Sequence, residues 1–277
     1  MEKDILLFDL DGTLTDPMVG ITKSVQYALR HYGIIEEDLT RLIPFIGPPL
    51  RDSFQKYYGF SKEQAGEGVL VYREYFSEKG IFENKEIPGI REMLEVLSAQ
   101  GKKLYVATSK PEVYARKILE HFSLDHFFRF IGGADFEETR VNKAAVIRYV
   151  LEEAGLGGAG KKTADVIERA EGAKRTEETE GTDNTERTDK AERTDNTERT
   201  DKAERTDNAE RTEPGKKRIV MIGDREQDII GAKENGIQSV GVLFGYGSRR
   251  ELKEAGADRI AETVKDLTDI LRMDWGD

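Results

Sequence analysis

The chain has 277 residues, 37% of them hydrophobic and 35% charged, with a formal net charge of -11 and no cysteine. The length admits one large domain or two ordinary ones, and the missing cysteines exclude disulfides, thiolate catalysis and zinc–cysteine sites. The acidic balance argues against nucleic-acid binding, which needs a basic surface, and no apolar run approaches the ~18 residues of a membrane helix.

The opening Met-Glu-Lys-Asp lacks a basic region followed by an apolar one, so a cytoplasmic protein with no membrane partner is expected. Residues 4–8 then predict a strand. The continuous apolar run Ile5-Leu6-Leu7-Phe8 suits burial on both faces of a parallel sheet. Gly12 and Thr13 break the run, and Asp9 and Asp11 sit between. If extended backbone persists to residue 11, alternation aims both carboxylates to one side and Leu10 to the other. Two like charges that close need a cation, a proton or a function to justify them.

Residues 17–86 read as three helices, over 18–33, 48–59 and 61–80, with no strand between them. They predict a helical subdomain inserted directly after the first strand, where a lid would be attached. Pro88-Gly89 marks the return to alternation. A helix from 90 to 101 leads to a strand over 103–108, and "EVYARKILEHF" leads to a strand over 128–132. A helix follows in "ETRVNKAAVIRYVLEE". Further strands are expected over 218–223 and 239–244, with "DIIGAKENG" as a helix between them and "RIAET" as a short sixth strand. Strands alternating with helices imply an α/β fold with a mostly parallel, Rossmann-like sheet. Ligands bind such sheets outside the carboxyl ends of the strands.

One stretch does not fit. From Glu186 the hexapeptide pattern "ERTDKA ERTDNT" runs to about Glu213 without an aromatic or large aliphatic residue. A period of six matches neither a helix nor a strand face. Residues 158–216 are therefore expected to be a disordered, low-complexity insertion. The expected division is a core of 1–16 and 87–277 around a helical subdomain of 17–86.

Chemistry-bearing residues fall at the strand ends. Asp224 follows the fourth strand as Asp9 follows the first, and Asp228 lies one helical turn on. "VATSKP" supplies Thr108, Ser109 and Lys110, and Lys143 begins a helix after the third strand. An oxygen cluster from Asp9 and Asp224 suits Mg²⁺. With charge offset by the metal and a lysine, a carboxylate can attack phosphorus while a second carboxyl moves the proton. In the helical subdomain, Arg51 is a candidate clamp for a remote anion, with a solvated helix-face role as its alternative. Capping a helix N-terminus is the lesser alternative for Asp228. Lys110 could equally sit on a solvated turn. The three histidines fit no metal spacing.

"DLDGTLTD", "VATSKP", the lysine near "TRVNK" and "GDREQD" resemble the four motifs of the haloacid dehalogenase superfamily, over nearly all the chain outside 158–216. "FIGPPLRDSF", "IPGIREMLE" and "GYGSRREL" look most like its phosphoglycolate phosphatase branch, and the helical subdomain resembles the superfamily's C1-type cap. The resemblance implies a Mg²⁺-dependent phosphatase working through an aspartyl-phosphate. Asp9 would be the nucleophile. Asp11 would be the acid/base and give Mg²⁺ its backbone carbonyl. Thr108 would hold the phosphoryl group, with Ser109 and Lys110 beside it, and Lys143 would balance charge. Asp224 would be a metal ligand, and Asp228 a ligand through water or a support to one. Asp11 argues against dehalogenation, and no motif supports a phosphonatase. The expected substrate is a small phosphorylated metabolite, phosphoglycolate first and a 5′-nucleotide second. A sugar phosphomutase is a rival, and a non-enzymatic binding protein is the reading from another class. The sequence does not indicate an oligomeric state.

Overall fold

A computed structural model describes residues 4–136, 139–140, 142–156 and 219–273. The hexapeptide repeat and the whole of the expected 158–216 insertion lie outside the described residues.

The elements, in chain order, begin with β1 (Ile5–Phe8), β2 (Thr15–Asp16) and α1 (Met18–His31). A 3₁₀ turn (Leu39–Phe45), α2 (Leu50–Tyr58) and α3 (Lys62–Tyr75), which runs into a π turn (Phe76–Gly80), follow. Then come β3 (Lys85–Glu86), α4 (Ile90–Ala99), β4 (Lys103–Pro111), α5 (Glu112–His121), β5 (Phe128–Ala134) and α6 (Lys143–Glu153). After the undescribed stretch come β6 (Ile219–Gly223), α7 (Glu226–Glu234), β7 (Gln238–Val242), α8 (Arg249–Ala255), β8 (Arg259–Ala261) and α9 (Val264–Arg272). The main sheet has six parallel strands in the order β5-β4-β1-β6-β7-β8.

The parity of β1 explains its unbroken hydrophobicity. Leu6 and Phe8 join one core cluster with Met93, Leu97 and Leu267 from α4 and α9. Ile5 and Leu7 join a second with Val146, Ile147 and Val150 of α6 and Ala232 of α7. Each face is covered by helices, so neither set of side chains meets water. The first cluster continues into the helical subdomain through Val25, Leu29, Phe54 and Val69. The chain thus has the expected α/β fold with a parallel central sheet, and α1 to α3 lie in the chain between β1 and β4.

Three features differ from expectation. The pairing of β1 ends at Phe8. A tight turn follows, in which the Leu10 carbonyl accepts the N–H groups of Leu14 (2.9 Å) and Thr15 (3.0 Å). Residues 85–86 are extended, pairing antiparallel with 15–16 to form a ribbon where the chain passes into and out of the helical subdomain. Two residues carry no alternation to read, and their partners lie about 70 positions away in the chain. The helices α8 and α9 were also not anticipated. Both start at side-chain caps, where Ser248 accepts from the Glu251 N–H and Thr263 from the Asp266 N–H.

Candidate active site

The parity that splits the core also builds the site. Asp9 follows Leu7 in phase, on the side where α6 and α7 pack. Helix α6 begins at Lys143 because Asn142 caps it, accepting the Ala145 N–H at 2.9 Å. From there the Lys143 ammonium reaches Asp9 Oδ1 at 2.8 Å and Asp228 Oδ1 at 2.7 Å, and donates to the Ala107 carbonyl at 3.1 Å. Asp228 is in the first turn of α7, where its Oδ2 accepts the Arg225 N–H at 3.1 Å. Asp228 thus caps the start of α7 with one oxygen and pairs with Lys143 through the other. Asp224, at the end of β6, receives the Tyr246 N–H on Oδ2 at 2.7 Å.

Asp9, Asp224 and Asp228 each place a carboxylate oxygen within 4.8 Å of the others, and all three residues are buried. Burial, followed by the charges of Asp228 and Asp9, pushes the Asp224 carboxyl well above the usual range. Burial likewise lifts Asp228 to about 6, although Lys143 opposes it. Burial alone would lower the Lys143 ammonium, but Asp228 and Asp9 outweigh it and hold the proton on. The Lys143 ammonium thus pairs with two of the three carboxylates, and Asp224 Oδ1 is buried without a hydrogen-bond partner. Hard oxygen donors with an uncompensated charge and an orphaned oxygen fit a hard divalent cation such as Mg²⁺.

Glycines shape this cradle. Gly12 has φ +81°, and a Cβ there would lie 2.3 Å from Asp224 Oδ2. A Cβ at Gly247 would lie 1.8 Å from the Asp224 carbonyl oxygen, and one at Gly245 would lie 2.5 Å from Asp224 Cβ. Only bare backbone can approach the acid this closely.

Asp11 sits on the other side, paired with Lys110 at 2.5 Å. Burial raises its carboxyl above the usual value despite that lysine, and Asp9 adds to the effect. Lys110 is buried, not on a solvated turn. Thr108, buried in β4, accepts the Lys110 N–H on its hydroxyl at 3.3 Å. Asp11, Ser109, Lys110 and Arg51 all line a cavity of about 680 Å³ under the helical subdomain.

The sequence reading did not single out Arg73, Arg140, Tyr72 or Tyr114, which line the same cavity. It also passed over Arg225 and Tyr246. Tyr246 acts through its backbone, which no side-chain pattern reveals. The glycine pair of "GYGS" directly after a strand was the available signal. Arg140 is braced by Asp135 at 3.4 Å, by the Gly133 carbonyl at 3.0 Å and by the Tyr149 ring. Tyr72 is buried, so its hydroxyl stays protonated.

Residues 6–161 match the haloacid dehalogenase-like hydrolase family, and residues 199–270 match a related HAD-hydrolase-like family. The chain belongs to the haloacid dehalogenase-like hydrolase family. A 5′-nucleotidase from Pseudomonas aeruginosa is 39% identical over 90% of this chain and 86% of its own length. A phosphoglycolate phosphatase from Aquifex aeolicus is 31% identical over 52% of this chain and 67% of its own. A crystal structure described as a predicted phosphatase from Clostridium acetobutylicum superposes with a TM-score of 0.74 at 38% identity, covering 99% of this chain and 100% of that one. This family member is a hydrolase, and these likenesses group it with the family's phosphatases. No helix among the described residues is long and apolar enough to cross a membrane.

Proposed function

We propose that this hydrolase is a Mg²⁺-dependent phosphomonoesterase acting on a small phosphorylated metabolite through an aspartyl-phosphate on Asp9. The observation that carries this reading is the buried triad of Asp9, Asp224 and Asp228 with a single ammonium, Lys143, between two of its members. Bound Mg²⁺ would offset the carboxylate charge and polarise the phosphoryl oxygens. Asp224 and Asp9 would hold it, with the Asp11 carbonyl, and Asp228 would support the shell.

Lys143 holds Asp9 in one orientation, and an Asp9 oxygen attacks phosphorus as the ester P–O bond breaks. Asp11, which burial favours in its protonated form, gives its proton to the departing oxygen. Lys110 keeps the Asp11 carboxyl in place through this step. Asp11 then takes a proton from water, whose oxygen attacks phosphorus and releases Asp9 and inorganic phosphate. The Thr108 and Ser109 hydroxyls and Lys110 would hold the phosphoryl oxygens. Residues 17–86 would act as a C1-type cap that shuts water out.

A cavity of about 680 Å³ is roomier than a two-carbon phosphate needs. Its walls include Phe45, Tyr72, Phe76 and Tyr114, surfaces on which a flat ring can pack. These features favour a nucleoside 5′-monophosphate, in line with the relative named 5′-nucleotidase. Phosphoglycolate is the second reading, because Arg51, Arg73 and Arg140 line the cavity and could clamp a carboxylate.

The test is phosphate release from 5′-nucleotides, phosphoglycolate, hexose phosphates and pyrophosphate, with Mg²⁺ or with EDTA, for wild type and Asp9→Asn. Mg²⁺-dependent release that vanishes in Asp9→Asn is expected. Isomerised hexose phosphate in place of free phosphate would make the protein a mutase. Release that survives Asp9→Asn would reject the proposed nucleophile.

A further inference from the structure

Arg225 lies between two members of the acidic triad, yet the chemistry above gives its side chain no task. Its backbone N–H donates to Asp228 Oδ2 at 3.1 Å. Its guanidinium is forked between two acceptors from distant parts of the chain. Nε donates to Glu251 Oε1 in α8 at 2.8 Å, and Nη1 donates to the Ile46 carbonyl at 2.6 Å. Glu251 is itself fixed, since Oε1 also accepts the Glu226 N–H at 3.0 Å.

Ile46 belongs to the turn that joins the 3₁₀ segment to α2. In that turn Phe45, Gly47, Pro48 and Pro49 line the substrate cavity. Gly47 has φ +102°, and a Cβ there would lie 2.9 Å from Arg225 Cγ. The turn can therefore rest on the Arg225 stem only because residue 47 is glycine. Few side chains could replace this arginine, because its planar fork satisfies two acceptors at a fixed angle whereas lysine presents a single point charge. Main chain and side chain of one residue thus join three parts: a carboxylate of the triad, an anchored helix start and a wall of the cavity.

We propose that Arg225 is a positioning residue for substrate binding: its guanidinium fixes the Phe45–Pro49 turn of the helical subdomain in register with the Asp224–Asp228 loop. The inference rests on the phosphatase reading for its kinetics and on geometry alone for its structural half. Arg225→Met keeps the stem and the backbone N–H but removes both side-chain bonds. The loss of one charge-assisted hydrogen bond to a cavity wall corresponds to a rise in KM of about 10-fold or more. The kcat changes by about 3-fold at most, because Asp9, Asp11 and Lys143 are untouched. Mg²⁺ affinity, measured by calorimetry, stays within about 2-fold, because Asp228 keeps its backbone donor.

The experiment combines these kinetics, on the best substrate of the panel, with amide hydrogen exchange of the full-length protein without substrate. Exchange in peptides covering 43–50 is expected to accelerate in Arg225→Met and to be partly restored in Arg225→Lys. Gly47→Ala, which pushes the turn off an intact arginine, should raise KM in the same way. The double variant should show less than the sum of the two effects, because the stem and the Cβ compete for one space. A fall in kcat with KM unchanged, or exchange at 43–50 equal to wild type, would overturn the proposal. If Arg225→Met does not fold, Arg225→Lys and Gly47→Ala carry the same comparison. If the wild type releases no phosphate at all, the functional reading fails while the exchange result still decides the role of Arg225.

Discussion

Replacing Lys143 with methionine tests the electrostatic core of the site. The side chain is buried and its ammonium is shared by Asp9 and Asp228. Methionine fills much of the volume, so what is lost is charge. Removing one partner of a buried ion pair typically costs about 3–5 kcal/mol, since the remaining charges are left uncompensated. For a fold of this size that corresponds to a fall in Tm of roughly 6–20 °C.

The pH dependence gives the sharper signature. Both the ordinary and the raised pKa of Lys143 lie above the range where proteins are handled, so its contribution in the wild type is present in full from pH 5 to 8. Asp228 behaves oppositely, because its carboxyl is raised to about 6 in the folded protein. A raised carboxyl favours folding while protonated, and that advantage is lost as pH climbs from its ordinary value through the folded one. Without Lys143 the carboxyl rises further still. The variant's deficit should then be greatest near pH 7.5 in EDTA and shrink toward pH 5.5 as the triad takes up protons. Mg²⁺ at pH 7.5 should also narrow it, by binding only the folded state. Denaturant melts of both proteins at the two pH values, with and without Mg²⁺, supply the data. A deficit that is equal under all four conditions would refute the reasoning, because it would then arise from packing.

Four other outcomes follow from the same geometry. Metal-free wild type should lose about 2 kcal/mol between pH 4 and pH 7 through Asp228, whose carboxyl is raised to about 6 in the folded protein, and calorimetric melts in EDTA would check this. Gly12→Ala should cut turnover by about 100-fold or more, because a Cβ at φ +81° collides with Asp224 Oδ2, and weaker Mg²⁺ binding would separate this from general misfolding. Asn142→Ala should cost about 1 kcal/mol through the lost cap of α6 and lower kcat by loosening Lys143, as read by melts and steady-state kinetics. Replacing 160–215 with a short linker should leave folding and turnover intact, because the described residues already supply a buried core on both faces of the sheet and the acidic triad; an inactive or unfolded deletion protein would count against this.

Much of the fold was legible because its signals are local. The apolar run of β1 announced a strand buried on both faces, and strands alternating with helices announced a parallel sheet. Asp9, Asp224 and Lys143 were readable because strand ends and helix starts are where such sheets present ligands. Helical spacing placed Asp228 on one face with Asp224, and the family resemblance supplied its expected role. The ribbon of β2 and β3, and the fork of Arg225 from Glu251 to Ile46, were not legible. Each depends on contacts 26 to 179 residues apart, and neither repeats along the chain.

The sequence by itself determined which residue types stand at which strand ends, and therefore the class of chemistry. Tertiary structure decided how those charges divide. Alternation put Asp9 with Lys143 and Asp228 on one side, while a turn after Phe8 gave Asp11 its own lysine. It also decided how far each carboxyl is removed from water, which is what lifts Asp11, Asp224 and Asp228 above their ordinary values. Burial and charge pairing belong to the packed chain as a whole, and no window of sequence contains them.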